Sequence, residues 1–142
     1  MFYNNSFDRN LSLMHRGMDV ALLRYNVTAN NIANSDTPNF KRSSVSFESE
    51  LKRMMDLEKQ KPPFEGALQY DRSVSLYRPH SWKDVKPRVT LDYLTTSKNN
   101  GNNVDIEEEI MTATNTQLLY QAMLTSVNSE FQRMNIALSM RA

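Results

Sequence analysis

The residues of this chain that could do chemistry are scattered. Its two histidines, His15 and His80, stand far apart, and neither has a ligand-spaced companion; a zinc site wants about four ligands. Three consecutive acids, Glu107, Glu108 and Glu109, could be read as acid–base or metal carboxylates. Consecutive side chains on a helix point in different directions, however, and an acidic first turn is accounted for by the positive helix N-terminus. There is no cysteine, which excludes disulfides, thiolate metal sites and a cysteine nucleophile, and suits an oxidising compartment. Three glycines cannot build a phosphate-cradling loop. Basic residues in the middle alternate with Phe64, Tyr70, Tyr77, Trp82 and Tyr93, but acids among them indicate an ordinary solvated surface. A net charge of +1 creates no field that would recruit nucleic acid or anionic membrane. The nine methionines fall mostly on or beside apolar stripes and read as core filling. No catalytic, cofactor-binding or metal-binding residue is therefore assigned, no cofactor is expected, and neither an enzyme nor a nucleic-acid or small-molecule binder is indicated.

What the sequence does position is helices. Stepping alternately by four and three from Ile106 meets Ile110, Ala113, Gln117, Tyr120, Leu124, Val127, Phe131, Met134 and Leu138, all apolar but Gln117. This heptad seam predicts a helix over 105–141, about 55 Å long, with one stripe against a partner helix. Asp105 is its expected N-cap, with Glu108 completing a capping box. A second seam, Phe7, Leu11, Met14, Met18, Ala21, Tyr25, Thr28 and Ile32, predicts a partner helix over 7–34. Its Gly17 either admits a close helix approach or is simply tolerated. Pro38 prevents that helix from continuing past the Ser-Asp-Thr turn. Residues 1–6 carry no period and read as a flexible start.

The fold class expected is mainly α: long N- and C-terminal helices pairing as a coiled-coil-like hairpin. An irregular middle segment, 35–104, has room for a short helix from Phe47 to Glu58, stopped by Lys61-Pro62-Pro63. Short strands are expected at Val74–Tyr77 and Arg88–Tyr93, and a turn or flexible loop at Lys98–Asn103. All five prolines and most of the charges sit in that middle segment. The terminal helices are coated in Asn, Ser, Thr and Gln, which are cheaper to bury than ions. More than one face of each helix is therefore expected to be covered by other molecules. No apolar run approaches the roughly 20 residues that span a bilayer, and the N-terminus lacks the pattern of a cleaved signal peptide.

The run Ala29-Asn30-Asn31-Ile32-Ala33-Asn34, then Asp36-Thr37-Pro38, Phe40 and the basic pair Lys41-Arg42, resembles the signature of bacterial flagellar rod and hook proteins. The asparagines offer both donors and acceptors to backbone at a helix end. Asn39 and Phe40 stand where that family usually has Gly and Tyr; Asn tolerates positive φ, so the turn survives the change. The chain is short, Val45 to Leu51 follow the basic pair, and Gly101 to Asp105 with Leu119 to Ala122 close it. These features make it most similar to the proximal rod (FlgB) family, over roughly 7–58 and 99–140.

The resemblance implies a structural subunit of the proximal rod of the flagellar basal body. Such a subunit would be exported through the flagellar type III channel without a cleaved signal. It would polymerise through its terminal helices across the periplasm and help transmit motor torque. Implied partners are copies of itself, other rod proteins, the rod–ring adaptor, and the inner-membrane ring or export gate. Residues expected to pair helices or drive assembly are Leu11, Met14, Met18, Tyr25 and Ile32 with Ile110, Tyr120, Leu124, Val127, Phe131, Met134 and Leu138. The alternatives are another rod subunit, such as a FlgC-like one, or a soluble helical chaperone or adaptor of the secretion system.

Overall fold

The computed structural model describes residues 6–59, 81–95 and 100–139. Helix α1 runs Ser6–Ala33, strand β1 Ser43–Ser46, helix α2 Glu48–Lys59, a single 3-10 turn Trp82–Asp84, strand β2 Arg88–Leu91, and helix α3 Ile106–Ser139. The chain is mainly helical, and its long terminal helices pair. The pairing is antiparallel: Asn31 meets Glu109 near one end, Gly17 meets Met123 midway, and Phe7 stacks edge-on against Phe131 at the other. The expected strand at Val74–Tyr77, the Lys61-Pro62-Pro63 stop and His80 lie outside the described residues.

The chain forms two compact units. In the first, residues 6–45 and 89–139, α1 and α3 are joined by a two-stranded ribbon of β1 and β2. The ribbon is antiparallel: Asp92 N–H donates to Arg42 O, and the Ser44 and Thr90 hydroxyls meet two pairs further on. β1 had no sequence signal, because Ser-Ser-Val-Ser has a single apolar side chain. In the second unit, residues 46–59 and 81–88, α2 packs on the 3-10 turn around buried Phe47, Trp82 and Val85. Ser81 caps that turn by accepting from Lys83 N–H.

The inward line of α3 differs from the expected seam. Glu109, Thr116 and Val127 are buried, with Ala113 and Met123 half-buried between them and Glu130 half-buried beyond. This is still a four–three spacing, but Glu109, Thr116, Met123 and Glu130 take the places expected for Ile110, Gln117, Leu124 and Phe131. At 3.6 residues per turn the helix is rotated by roughly 60° from the purely apolar register. The most apolar edge is thereby left outside: Ile110 is 52 % exposed, Leu124 45 % and Phe131 41 %.

Candidate assembly interface

The rotation of α3 is set by a polar clasp at the closed end of the hairpin. Asn31 is 1 % exposed. Its amide donates to Ser43 O (2.8 Å) and to Glu109 Oε2 (3.1 Å), and its Oδ1 accepts from Ser43 N–H (3.0 Å). Three elements are thus tied by one side chain with every group satisfied. Arg42 closes the clasp. Its Nε lies 2.5 Å from Glu109 Oε1, an ion pair whose N–H is not aligned on the oxygen, and its Nη1 meets Glu108 Oε1 at 2.9 Å. Burial works to lower the Arg42 pKa, but the negative charges of Glu109 and Glu108 outweigh it and raise the pKa above its ordinary value. The acidic first turn of α3 is therefore more than a dipole effect. Glu109 is a buried counterion, and Glu108 turns to Arg42. Asp105 still caps the helix, its Oδ1 accepting from Glu107 N–H at 3.0 Å.

Residues 100–103, expected as turn or flexible loop, are a hub. Asn102 is fully buried, and its amide reaches the carbonyls of Asn34, Ser35 and Thr37 (2.9–3.0 Å), closing the end of α1. Asn103 accepts from Arg42 N–H and donates to Asp92 O. Gly101 has φ +80°, and a Cβ there would meet Asn39 Oδ1 at 2.6 Å. Asn39 itself adopts φ 59°, the left-handed conformation that asparagine accepts more readily than most residues. Sequence reasoning missed this hub because buried asparagines and solvent-exposed ones have the same one-letter code. The one available signal was the density of Asn around a single Gly.

The two sides of the hairpin differ. One is covered near its closed end by β1, where Arg24, Val27, Thr28 and Thr112 line a small recess with Ser43, Ser44 and Val45. The other is open. There Ala21, Leu22, Tyr25, Thr116, Gln117 and Tyr120 line a groove of about 190 Å³. Leu22 is 57 % exposed, and no charged residue occurs anywhere between Ile110 and Ser129. Covering a helix surface this long that carries no ion desolvates no charge.

The comparisons with known proteins agree. A family profile described as flagella basal body rod protein matches residues 16–41, about the last two thirds of α1 and the following turn. The FlgB flagellar basal body rod protein of Borreliella burgdorferi is 41 % identical over 134 residues, covering 94 % of this chain and 98 % of that one. This chain belongs to the FlgB family of flagellar basal body rod proteins. FlgB of Borrelia hermsii is 40 % identical with the same coverage, and that of Bacillus subtilis is 28 % identical, covering 94 % of this chain and 95 % of its own. The protein is a structural rod subunit of the flagellar basal body and assembles with other rod proteins.

In the rod subunit the signature residues divide by role. Asn31 is the clasp. Asn30 supplies the carbonyl that Asn34 N–H and Nδ2 both bond, and Thr37 Oγ1 reaches Asn34 Oδ1. Ala29, Ala33, Asp36, Thr37 and Pro38 are exposed, while Ile32 and Phe40 are half-buried. Of the expected pairing residues, Leu11, Met14 and Met18 are half-buried between the helices, and Val127 is buried. Tyr25, Ile110, Tyr120, Leu124, Phe131, Met134 and Leu138 are exposed on the subunit. Among the described residues, no group of three His, Cys, Asp or Glu side chains could hold a metal, and no helix is long and apolar enough to cross a membrane.

Proposed function

We propose that this subunit polymerises through its terminal helices as part of the proximal rod and thereby helps carry torque across the periplasm. Copies of itself and the adjoining rod proteins are the neighbours, with the rod–ring adaptor and the inner-membrane ring or export gate at the base. The role is mechanical and not catalytic, and the subunit reaches its place by flagellar export without a cleaved signal.

The observation that carries this reading is the open side of the hairpin. Leu22, Tyr25, Ile110, Tyr120 and Leu124 together form an apolar strip along two helices, and burying each such side chain fully is worth about 1.5–3 kcal/mol. A subunit that folds on a polar clasp and leaves its most apolar helix edge in water is finished by its neighbours. Stiffness then comes from many enclosed stripes.

Leu124→Asp tests it. The side chain is half in solvent, so the isolated subunit should keep its stability to within about 0.5 kcal/mol in a urea melt. Export should continue, while rod assembly and swimming are lost because the charge is desolvated at the interface. Normal swimming in this variant would refute the reading.

A further inference from the structure

One edge of the asparagine hub faces water, and it carries a reactive pair. Asn100 is the one asparagine of this chain that glycine follows. It is exposed, unlike buried Asn102 and Asn103 beside it. Its Oδ1 accepts from Asn102 N–H at 3.1 Å, and its main-chain carbonyl accepts from Asn39 N–H at 3.1 Å. Gly101 O accepts from Lys41 Nζ at 2.9 Å. Gly101 N–H, in contrast, finds no acceptor among the described residues.

An asparagine can lose its side-chain amide when the next main-chain nitrogen attacks its Cγ. Hydroxide takes the Gly101 N–H proton, and the nitrogen forms a bond to Asn100 Cγ. The Cγ–Nδ2 bond then breaks, Nδ2 takes a proton from water, and ammonia leaves a five-membered succinimide ring. Water opens that ring at either carbonyl. Opening at Cγ leaves aspartate; opening at the main-chain carbonyl leaves isoaspartate. Glycine, with no Cβ, hinders the attack least. Charge that builds on Oδ1 during the addition meets Asn102 N–H, placed as a donor to a developing oxyanion is placed. The other hub asparagines lack this combination. Ser35 N–H after Asn34 is bonded to Ile32 O, Phe40 N–H after Asn39 to Thr37 O, and Val104 N–H after Asn103 to Asn102 Oδ1.

We propose that Asn100 is a self-modification site of the folded subunit, converted to aspartate and isoaspartate by cyclisation onto the Gly101 nitrogen. The two products differ in what they do to the hub. Aspartate keeps the main chain and an oxygen for Asn102 N–H. Isoaspartate reroutes the main chain through Cβ and Cγ, so the carbonyl that Asn39 N–H bonds becomes a free carboxylate. One carbon is thereby added to the chain immediately before Gly101 and Asn102. Asn102 must reach the carbonyls of Asn34, Ser35 and Thr37 from a fixed position, and the isoaspartyl chain displaces it. The site stands on local chemistry and is independent of how the subunit assembles.

The test ages the full-length protein in mildly alkaline buffer, folded and, in parallel, unfolded in urea. Peptide mass spectrometry follows the mass gain of amide-to-acid exchange at each asparagine. Urea removes the Asn102 donor but leaves the Asn-Gly dipeptide, so the pair of rates separates a site built by the fold from one built by the dipeptide alone. The result expected is conversion at Asn100 in the folded chain at least as fast as in urea, with Asn34, Asn39, Asn102 and Asn103 unchanged. In Asn100→Gln the gain should vanish. Slower conversion in the folded chain than in urea, or folded-state conversion spread over the other asparagines, overturns the proposal. A gain that persists in Asn100→Gln does the same. Asn100→Asp should melt with the wild type, while isoaspartyl chains isolated by chromatography should melt lower. Coincident melting of the two overturns the link to the hub.

Discussion

Asn102 carries an unusual share of the fold for one side chain. Two amide hydrogens are divided among the carbonyls of Asn34, Ser35 and Thr37 in the turn that follows α1, the first and last of which also accept backbone N–H bonds, and its Oδ1 accepts from buried Val104 N–H at 2.7 Å. Buried carbonyls without donors cost about 1–3 kcal/mol each when they cannot reach water. Asn102→Ala is expected to lose about 3 kcal/mol in a denaturant melt. Arg42 is expected to rank beside it. Glu109 has a side chain 2 % exposed, so Arg42→Ala strands a carboxylate. The cost should reach about 3 kcal/mol, the lower end of the range for broken buried pairs, since Arg42 itself is partly in water. Asp92 supplies a pH signature. The Thr95 hydroxyl bond first, then the Leu94 N–H bond, hold its carboxyl below the ordinary value. A depressed folded-state pKa contributes stability that is present above the unfolded value and is lost as pH falls through the lower, folded one. The stability gap between wild type and Asp92→Asn should therefore be open at pH 7 and close below about pH 4. A gap unchanged at pH 3 would show that the turn is held by something else.

Between the helices, Gly17 decides how closely α1 and α3 approach. A Cβ at this position would meet Met123 Sδ at 2.7 Å. That neighbour is a flexible thioether, so Gly17→Ala should be close to neutral: Met123 shifts, and the helix regains up to about 1 kcal/mol of propensity. Gly17→Leu cannot be absorbed this way and is expected to cost about 1–3 kcal/mol, read by thermal melting. The heptad pattern placed a long helix at each end of the chain, since apolar period and the Pro38 stop are local properties. It did not place the rotation of α3. An apolar-only register has no means of knowing that Glu109 finds Arg42 across the fold and is therefore the residue that goes in. β1 escaped notice for a related reason: its ladder is set by Arg42 and Asp92, far apart in the sequence.

As a whole the hairpin unit is asymmetric in two respects. It is tied at one end by Asn31, Arg42, Glu109 and Asn102, while its other end is held by Phe7 against Phe131 at 6.1 Å. It is also covered on one side and open on the other. Amide exchange in dilute subunit should follow the first asymmetry. Protection should be greatest around 20–31 and 109–116 and weakest at the start of α1 and over 132–139, where every α3 residue is exposed. Uniformly strong protection would indicate a self-sufficient globule. Assembly should then raise protection along the open side.

The sequence by itself determined the rod family, through the Ala-Asn-Asn-Ile-Ala-Asn run, and two long, sparsely charged helices that need company. Those follow from residue types a few positions apart, where backbone sterics and helical period are enough. Only the tertiary structure decided which stripe of α3 faces inward and that the Asn-Gly-Asn-Asn stretch is a buried hub. Each of those depends on a hydrogen bond or ion pair between distant segments, and the pairing energy of a buried charge or amide exists only once its partner has arrived.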